Sequence, residues 1–170
     1  MDKTLLEKKN LEIHLKDGIV VISLLVDVAP LHVERIVKLV NSDHYNNVAF
    51  HRVIEGFMAQ TGDVEFGNLE KGYDPNRVGT GGSAEPNLRA EFSDRRFDRG
   101  AVGMARAQDP NSANSQFFIM LADGHFLNGQ YTVFGTVSSG MEYVDKIKLG
   151  DQANNGSVNE PDQMLKVLVS

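Results

Sequence analysis

The chain has no cysteine, and this absence excludes disulfide bonds and metal sites built from thiolates. It has no run that approaches the roughly 18 apolar residues of a membrane-spanning helix, so we expect no association with a membrane. The first nine residues, MDKTLLEKK, are a polar lead-in without the apolar segment of about 7–15 residues found in secretion signals. These absences predict a soluble protein of the cytoplasm.

Basic residues and proline are also scarce. Lysine and arginine total 17 against 23 acidic residues, and the resulting net charge of −6 argues against nonspecific binding of nucleic acid. Only 5 prolines accompany 16 glycines, so the chain is rich in loops without being of low complexity. Its 170 residues contain no repeat or linker, which predicts one domain over residues 1–170 that buries roughly 70% of its unfolded surface.

Local patterns predict a hairpin and two helices. Residues 11–15 alternate between apolar and polar side chains, and Asp17-Gly18 is a turn signal that leads into the apolar run 19–26. A helix begins at Pro30 and reaches about residue 42, because its apolar residues recur at helical spacing. A second helix opens with a capping box at 139 and 142 and continues to about residue 148.

The rest of the chain predicts short strands and one long loop. Residues 64–91 show no periodicity, as is typical of functional or mobile loops, and we interpret the charged turn 94–99 as a solvated surface. Further strands are predicted at Ala90–Phe92, Ala101–Ala105, Gln116–Leu121, Thr132–Ser138 and Leu165–Val169. About eight strands and two helices fit either an α+β sandwich or a closed barrel.

The most informative stretch runs from Phe50 to Asp63 and reads FHRVIEGFMAQTGD. Two extended runs meet at a kink at 55–56, so alternation predicts that Arg52 shares a face with Phe50, and Met58 with Gln60. A buried arginine needs a partner or a task, because an unpaired charge away from water is costly. Arg52 is therefore either an ordinary exposed residue or a cation that projects into a cleft.

Other motifs in the sequence do not indicate a cofactor, a metal site or a nucleophile. The segment 79–84, GTGGSA, matches a dinucleotide-binding pattern, but Pro86 follows and no helix opens after it. The five histidines share no metal-ligand spacing, so we expect no metal site. His51 adjoins Arg52 but would face away from it on a strand, which favours a supporting role. No serine lies in the elbow motif of a nucleophile, and covalent catalysis has no candidate.

Three blocks together identify a family resemblance. The block at 50–63 fits the pattern F-H-R-x-I-x-G-F-M-x-Q-x-G-D without a gap, SQFFI follows at 115–119, and FLNGQYTVFG at 126–135. With GAVGMARA at 100–107, these blocks resemble the cyclophilin family of peptidyl-prolyl cis-trans isomerases over about residues 10–169. The resemblance implies a mainly β fold, a closed eight-stranded antiparallel β-barrel capped by two α-helices, whose first and last strands pair. Residues 64–78 look like an insertion relative to shorter members.

The resemblance also implies a function and a set of site residues. The function is rotation about X-Pro peptide bonds in peptides and in unfolded or flexible protein segments, which assists protein folding as a chaperone and needs no cofactor. Arg52 would be the catalytic donor, held by Gln60, which would also bond a substrate carbonyl. The substrate-binding residues would be Phe57, Met58, Ala105, Arg106, Ala107, Gln116, Phe118, Phe126, Leu127 and Tyr131.

Departures from the family pattern bear on specificity. Many members have tryptophan at the position of Phe126, which is tied to tight binding of the cyclic peptide cyclosporin, so weak cyclosporin binding is expected. Tyr131 and Arg106 replace a frequent histidine and a frequent asparagine, and Phe126 with Tyr131 resembles the bacterial cytoplasmic type. The family implies a monomer. The alternative function is a non-catalytic module that binds proline peptides. A lost catalytic residue would favour it, and none is visibly lost, although the insertion at 64–78 could recruit a partner.

Overall fold

A computed structural model describes residues 10–170, so the polar lead-in lies outside the described residues. Ten strands are seen: β1 Asn10–His14, β2 Ile19–Leu24, β3 Val48–Ala49, β4 Arg52–Ile54, β5 Met58–Thr61, β6 Ala101–Met104, β7 Phe117–Met120, β8 Val133–Ser139, β9 Gln163–Met164 and β10 Lys166–Val169. The helices are α1 Pro30–Asn41 and α2 Met141–Val144, with 3-10 turns at His125–Leu127 and Gln152–Asn154. None of the helices in this range is long and apolar enough to cross a membrane.

Eight strands form one antiparallel sheet in the order β10-β1-β2-β8-β6-β7-β5-β4, and β3 pairs with β9 separately. The predicted pairing of the first and last strands is correct, since β1 pairs with β10. The predicted closure is wrong, because β10 and β4 are the two edges of an open half-barrel. The short β4 bonds instead to the segment 150–158, where Val53 donates to the carbonyl of Gly156 and accepts from Gly150. The outer edge of β4 is therefore already hydrogen-bonded to this segment.

The concave interior holds the main core, to which both helices contribute. The predicted hairpin forms, with Leu15 donating to the carbonyl of Gly18 between β1 and β2. Helix α1 begins at Pro30 as predicted, ends one residue early, and buries its apolar stripe. The position of the two helices at opposite ends of the half-barrel stays a prediction.

Two local predictions are wrong. The second helix starts at Met141, because Ser139 is still paired in β8 and Gly140 adopts a left-handed conformation with φ of 86° that interrupts the chain. No side chain caps this helix, so the capping box does not form. Residues 90–92 are not a strand, since their backbone donors bond side chains instead: Ala90 to Asn111, and Glu91 to Thr132.

The sheet has a second apolar cluster on its outer face. Its buried members are Met58, Phe97, Ala101, Phe118, Met120, Leu127 and Val133. Their neighbours along the strands, such as Val53, Ala59 and Ile119, belong to the interior core instead. Because successive side chains on a strand point to opposite faces, β4 to β7 bury apolar residues on both sides.

Candidate active site

A row of side chains crosses the outer face of the sheet. Arg52 on β4 lies opposite Gln60 on β5, which lies opposite Phe118 on β7, which lies opposite Gly103 on β6. Residues paired in register share a face, so three strands bring a cation, an amide and an aromatic ring into one line. The predicted shared face of Met58 and Gln60 is consistent with this pairing.

The predicted shared face of Arg52 and Phe50 is wrong. Phe50 is fully buried in the interior core, whereas Arg52 lies in the outer row. The cause is a break in the extended run, because β3 pairs with β9 and β4 pairs with β5. The chain moves from one sheet to the other between residues 49 and 52, and the alternation does not carry across.

The guanidinium of Arg52 is held on both sides. Its Nη1 donates to Oε1 of Gln60 at 3.1 Å, while Nε and Nη2 donate to the backbone carbonyl and the side-chain Oδ1 of Asn155 at 3.0 and 3.1 Å. Partial burial lowers the pKa of Arg52 from its ordinary value, and the guanidinium stays charged at neutral pH. The result is a half-buried, permanently charged donor with a restricted orientation.

A relay of amides continues from this arginine. Gln60 Nε2 donates to Oε1 of Gln116 at 3.0 Å, and Gln116 Nε2 donates to the carbonyl of Gly81 at 2.9 Å. Each amide thus accepts on one side and donates on the other, which defines its orientation. The relay joins Arg52 on one edge strand to the loop that contains Gly81.

A concavity of about 150 Å³ with apolar side chains on part of its wall lies beside Arg52. Its walls include Met58 and Leu127, which are almost fully buried, and Phe118. Phe118 stacks on Phe97 with ring centroids 5.7 Å apart, and the two rings cover Gly103 so closely that a Cβ there would lie 2.6 Å from Phe97. The floor of the concavity is therefore rigid and depends on a glycine.

Aromatic residues and an arginine form the rim. Tyr131 meets the edge of Phe118 at a centroid distance of 5.9 Å, and the guanidinium of Arg106 lies 4.3 Å above the ring of Tyr131. On the opposite side, Phe126 is 72% exposed and rests on Phe57 at 5.5 Å. An exposed aromatic side chain beside an apolar concavity is available to contact a ligand.

A second concavity of about 420 Å³ adjoins the first. It shares Gln60, Ala105 and Arg106 with the first and continues along Ala107 and Gln116. Residues 105 to 107 follow the end of β6, and the N–H of Ala105 donates to the carbonyl of Gln116. The Arg106 N–H has no hydrogen-bond partner among residues 10–170, so this edge offers a free donor to an extended chain.

Of the twelve site residues predicted from the sequence, nine line the first concavity. They are Arg52, Phe57, Met58, Gln60, Ala105, Arg106, Phe118, Leu127 and Tyr131. Ala107 and Gln116 line the second concavity, and Phe126 touches the site through Phe57. The geometry thus brings the predicted residues together, although it does not by itself assign a role to any of them.

The sequence analysis missed several residues of the site. Asn155 accepts hydrogen bonds from Arg52 although it lies 103 positions away in a polar loop without periodicity. The only sequence feature that marked this position was the turn pair Asn155-Gly156. Phe97 is fully buried although it lies in a charged turn, and an apolar residue within such a turn was the available signal. The loop 79–81, set aside as a nucleotide motif, lines the second concavity.

Two buried ionisable residues support this loop. The Asp63 carboxylate, fully buried, accepts the backbone N–H groups of Gly79 and Gly81 at 2.7 and 3.0 Å and also those of residues 65 and 66. His51 lies against Gly79, and its two ring nitrogens have no partner among the described residues. Burial lowers the pKa of His51 to about 4, so the ring is neutral at pH 7. His51 and Arg52 line one further concavity, of about 430 Å³, and the prediction that their side chains face apart stays a prediction.

Within residues 10–170, one cluster has the donors for a metal ion: Asp98, Asp123 and His125. It is exposed, and Nε2 of His125 already lies 2.6 Å from Oδ1 of Asp98, while Nη2 of Arg96 lies 3.2 and 3.3 Å from the two ring nitrogens. None of its members lines the three concavities. The cluster therefore lies outside the concavities, although His125 shares a 3-10 turn with Phe126 and Leu127.

The fold matches solved structures of cyclophilins. A cyclophilin-type peptidyl-prolyl cis-trans isomerase of Cryptosporidium parvum, crystallised in the presence of the dipeptide Ala-Pro, has a TM-score of 0.81 at 25% identity and covers 95% of this chain and 98% of that one. The cyclophilin AquaCyp293 of Hirschia baltica has a TM-score of 0.79 at 23% identity, over 95% and 74% of the two chains. These likenesses define the cyclophilin fold.

Sequence comparison identifies the family of the chain, which similarity of fold alone does not. Residues 10–169 match the family model described as cyclophilin type peptidyl-prolyl cis-trans isomerase/CLD. A probable peptidyl-prolyl cis-trans isomerase of Brucella suis is 64% identical over 155 residues, which cover 91% of this chain and 79% of that protein. Peptidyl-prolyl cis-trans isomerase B of Escherichia coli is 38% identical over 143 residues, 79% and 81% of the two chains.

The chain therefore belongs to the cyclophilin-type family of peptidyl-prolyl cis-trans isomerases and is an isomerase enzyme. The prediction made from the three sequence blocks is confirmed. The alternative of a non-catalytic binding module finds no support in these comparisons.

Proposed function

We propose that X-Pro bonds are isomerised in the groove on the outer face of the sheet, with Arg52 as the catalytic donor. The observation that carries this proposal is a guanidinium, held by Gln60 and Asn155, in the lining of a concavity of about 150 Å³ that also contains Phe57, Met58, Phe118 and Leu127. The proline ring occupies the concavity, and the bond to be rotated lies beside Arg52.

The chemistry requires neither a nucleophile nor a cofactor. Resonance gives the peptide C–N bond a rotational barrier of about 18–20 kcal/mol, and an X-Pro bond isomerises unaided over tens to hundreds of seconds. As the bond twists, the resonance is lost and a lone pair localises on the prolyl nitrogen. A donor aimed at that nitrogen stabilises the twisted state more than the planar ground state, and this difference lowers the barrier.

Arg52 suits this role because it is charged at every physiological pH and is already oriented. Gln60 and Asn155 hold three of its nitrogens at 3.0–3.1 Å, so little reorganisation accompanies catalysis. Gln60 positions Arg52 and presents its amide to a substrate carbonyl. Gln116 orients Gln60 in turn, since the amides form one chain of hydrogen bonds.

The remaining predicted residues bind the substrate. Phe57, Met58, Phe118 and Leu127 enclose the proline ring, and their burial of apolar area favours a ring over a polar side chain. The free N–H of Arg106 pairs with the peptide backbone, and the small side chains of Ala105 and Ala107 let that backbone approach. Phe126 and Tyr131 contact the residues that flank the proline.

The proposal extends to the biological setting. The substrates are X-Pro segments of peptides and of unfolded or flexible proteins in the cytoplasm, whose folding the enzyme assists as a chaperone. It acts as a monomer with one isomerase domain over residues 1–170, in which 64–78 are an insertion, and it binds cyclosporin weakly. The cyclophilin crystallised with Ala-Pro supports a proline peptide as the ligand of this fold.

The experiment that tests this proposal is cis–trans exchange of an Ala-Pro-Phe peptide, measured by NMR with catalytic amounts of enzyme. We expect rapid exchange with the wild type and nearly none with folded Arg52→Ala. If the peptide resonances shift without faster exchange in the wild type, the site binds proline peptides without isomerising them. If they do not shift at all, the groove is not the substrate site.

A further inference from the structure

The groove differs in charge from the rest of the molecule. The three adjoining concavities, of about 150, 420 and 430 Å³, include the side chains of two arginines, Arg52 and Arg106. None of the residues that line them in the described part of the chain is aspartate or glutamate. The whole chain has a net charge of −6, so a cationic groove lies on an acidic protein.

Arg106 is fixed in place at the junction of two concavities. Its Nε and Nη2 donate to the carbonyl of Gln130 at 3.1 and 2.7 Å, and its Nη1 donates to the carbonyls of Ala107 and Gln108 at 3.0 and 3.2 Å. The guanidinium also stacks on Tyr131. Every acceptor is a neutral carbonyl, so the positive charge has no counter-ion and acts on whatever enters the groove.

Arg52 is uncompensated in the same way. Its hydrogen-bond partners, Gln60 and Asn155, are neutral amides, and no salt bridge is formed by either Arg52 or Arg106 within residues 10–170. In contrast, Arg99 on the surface has a bidentate ion pair with Asp145. The charges of the two groove arginines are thus unpaired by acidic side chains of the described residues and can act on a bound segment.

Three acidic side chains beside the loops of the groove accept backbone N–H groups. Asp63 is fully buried beneath the loop 79–81 and accepts four backbone N–H groups. Glu65 accepts the N–H of Gly82, and Asp109 accepts that of Asn111 within its own turn. Backbone N–H groups that point at a carboxylate offset part of its negative charge, so these three residues oppose the arginines less than free carboxylates would.

We infer that the enzyme selects X-Pro segments with an acidic residue close to the proline, and this inference rests on the groove being the substrate site. The proline ring fills the smallest concavity, and the acidic side chain lies in the adjoining one beside Arg106. Complementary charge increases the encounter rate and holds the segment, whereas a lysine at the same position is repelled. The substrate class is therefore acidic, proline-containing segments of flexible chains.

The test uses peptides Ala-Ala-Ala-Pro-Ala-Phe in which one alanine at a time is replaced by glutamate, glutamine or lysine. Glutamate and glutamine have nearly the same shape, so the ratio of their kcat/KM values isolates charge. At low ionic strength we expect a Glu/Gln ratio of about threefold to fivefold at one or two positions on one side of the proline, the size of a surface charge pair. The ratio should approach one in 0.5 M salt, because salt screens the interaction.

Two variants assign the effect to Arg106. Arg106→Gln should bring the Glu/Gln ratio close to one, whereas Arg106→Lys should retain most of it, because lysine preserves the charge and loses the fork of hydrogen bonds. If a substitution disturbs the peptide-binding edge, activity falls equally for the glutamate and glutamine peptides. Such a loss therefore cancels in the ratio of their kcat/KM values. Lys166→Gln removes an equal charge from β10, the opposite edge of the sheet, and should leave the ratio unchanged.

The outcomes separate this inference from the proposed function. If neutral peptides are isomerised and the Glu/Gln ratio is one at every position, the groove is the active site but does not select acidic segments. If the ratio is raised but Lys166→Gln lowers it as much as Arg106→Gln does, selection comes from the overall field and the inference is wrong. If no peptide is isomerised, the proposed function fails first.

Discussion

The assignment of Arg52 as the donor makes a specific prediction for the substitution of Arg52 by lysine. Lysine keeps the positive charge, but its one compact ammonium group lacks the planar fork by which three guanidinium nitrogens bond Gln60 and Asn155 at 3.0–3.1 Å. The ammonium group is drawn to one of these acceptors and away from the mouth of the apolar concavity. A positive charge that is not held in place beside the X-Pro bond should therefore catalyse isomerisation poorly.

The expected magnitude follows from the hydrogen bond that is lost. A hydrogen bond to a charged group contributes about 1.5–3 kcal/mol, so Arg52→Lys should lower kcat/KM by about 10-fold to 100-fold. Arg52→Ala removes the donor altogether, and the expected loss is about 100-fold to 1,000-fold, as for one donor of an oxyanion hole. Because the bonds of Arg52 are exposed or only partly buried, we expect unfolding free energies within about 1 kcal/mol of the wild type.

The assay is NMR exchange of the Ala-Pro-Phe peptide, together with urea unfolding of each variant. Arg99→Lys is the matched control, since it makes the same chemical change in a surface ion pair with Asp145 and should leave activity unchanged. If Arg52→Lys retains more than half of the wild-type activity, the argument from the oriented fork is wrong. If folded Arg52→Ala is fully active, Arg52 is not the donor.

Three further predictions concern stability and ligand binding. Burial lowers the pKa of His51 to about 4 in the folded protein. As the pH falls below about 6.5, His51 is therefore protonated in the unfolded chain but not in the folded one, and this favours unfolding. About 2 kcal/mol of stability should be lost between pH 7.5 and pH 5, and equal pH dependence of urea unfolding in His51→Phe would contradict this. Glu91→Gln should cost about 1–3 kcal/mol in urea unfolding, because the carboxylate accepts two backbone N–H groups at the start of α1 and the ring of His32 at 2.6 Å; exposed Glu70→Gln should cost nearly nothing. Phe126→Trp should strengthen inhibition of the exchange reaction by cyclosporin by roughly fivefold to tenfold, because a larger exposed ring adds contact area, and unchanged inhibition would exclude this residue as a determinant.

The parts of the site that could be predicted from sequence lie within short stretches. Met58 and Gln60 are on one strand, so alternation alone assigns them to one face. The same rule failed for Phe50 and Arg52, because the chain changes sheets between them and no local signal marks the change. Sequence patterns describe a strand well, but they do not state which strand becomes its neighbour.

Long-range contacts account for what could not be predicted. Asn155 reaches Arg52 only because the segment 150–158 runs along the outer edge of β4, and that same pairing leaves the barrel open. The side chain of Arg106 was expected to influence the substrate, but nothing local indicated that it folds back onto Tyr131. Such contacts depend on the packing of distant segments and have no periodic signature.

The two apolar clusters on opposite faces of the sheet have a consequence for how this enzyme can change over time. The interior cluster joins the helices to the sheet, whereas the outer cluster packs around Phe118 and Phe97. Substitutions around the groove can therefore alter which sequences are processed while the interior keeps the chain folded. Because the two clusters are separate, the substrate preference of the groove can change in small steps while the fold is kept.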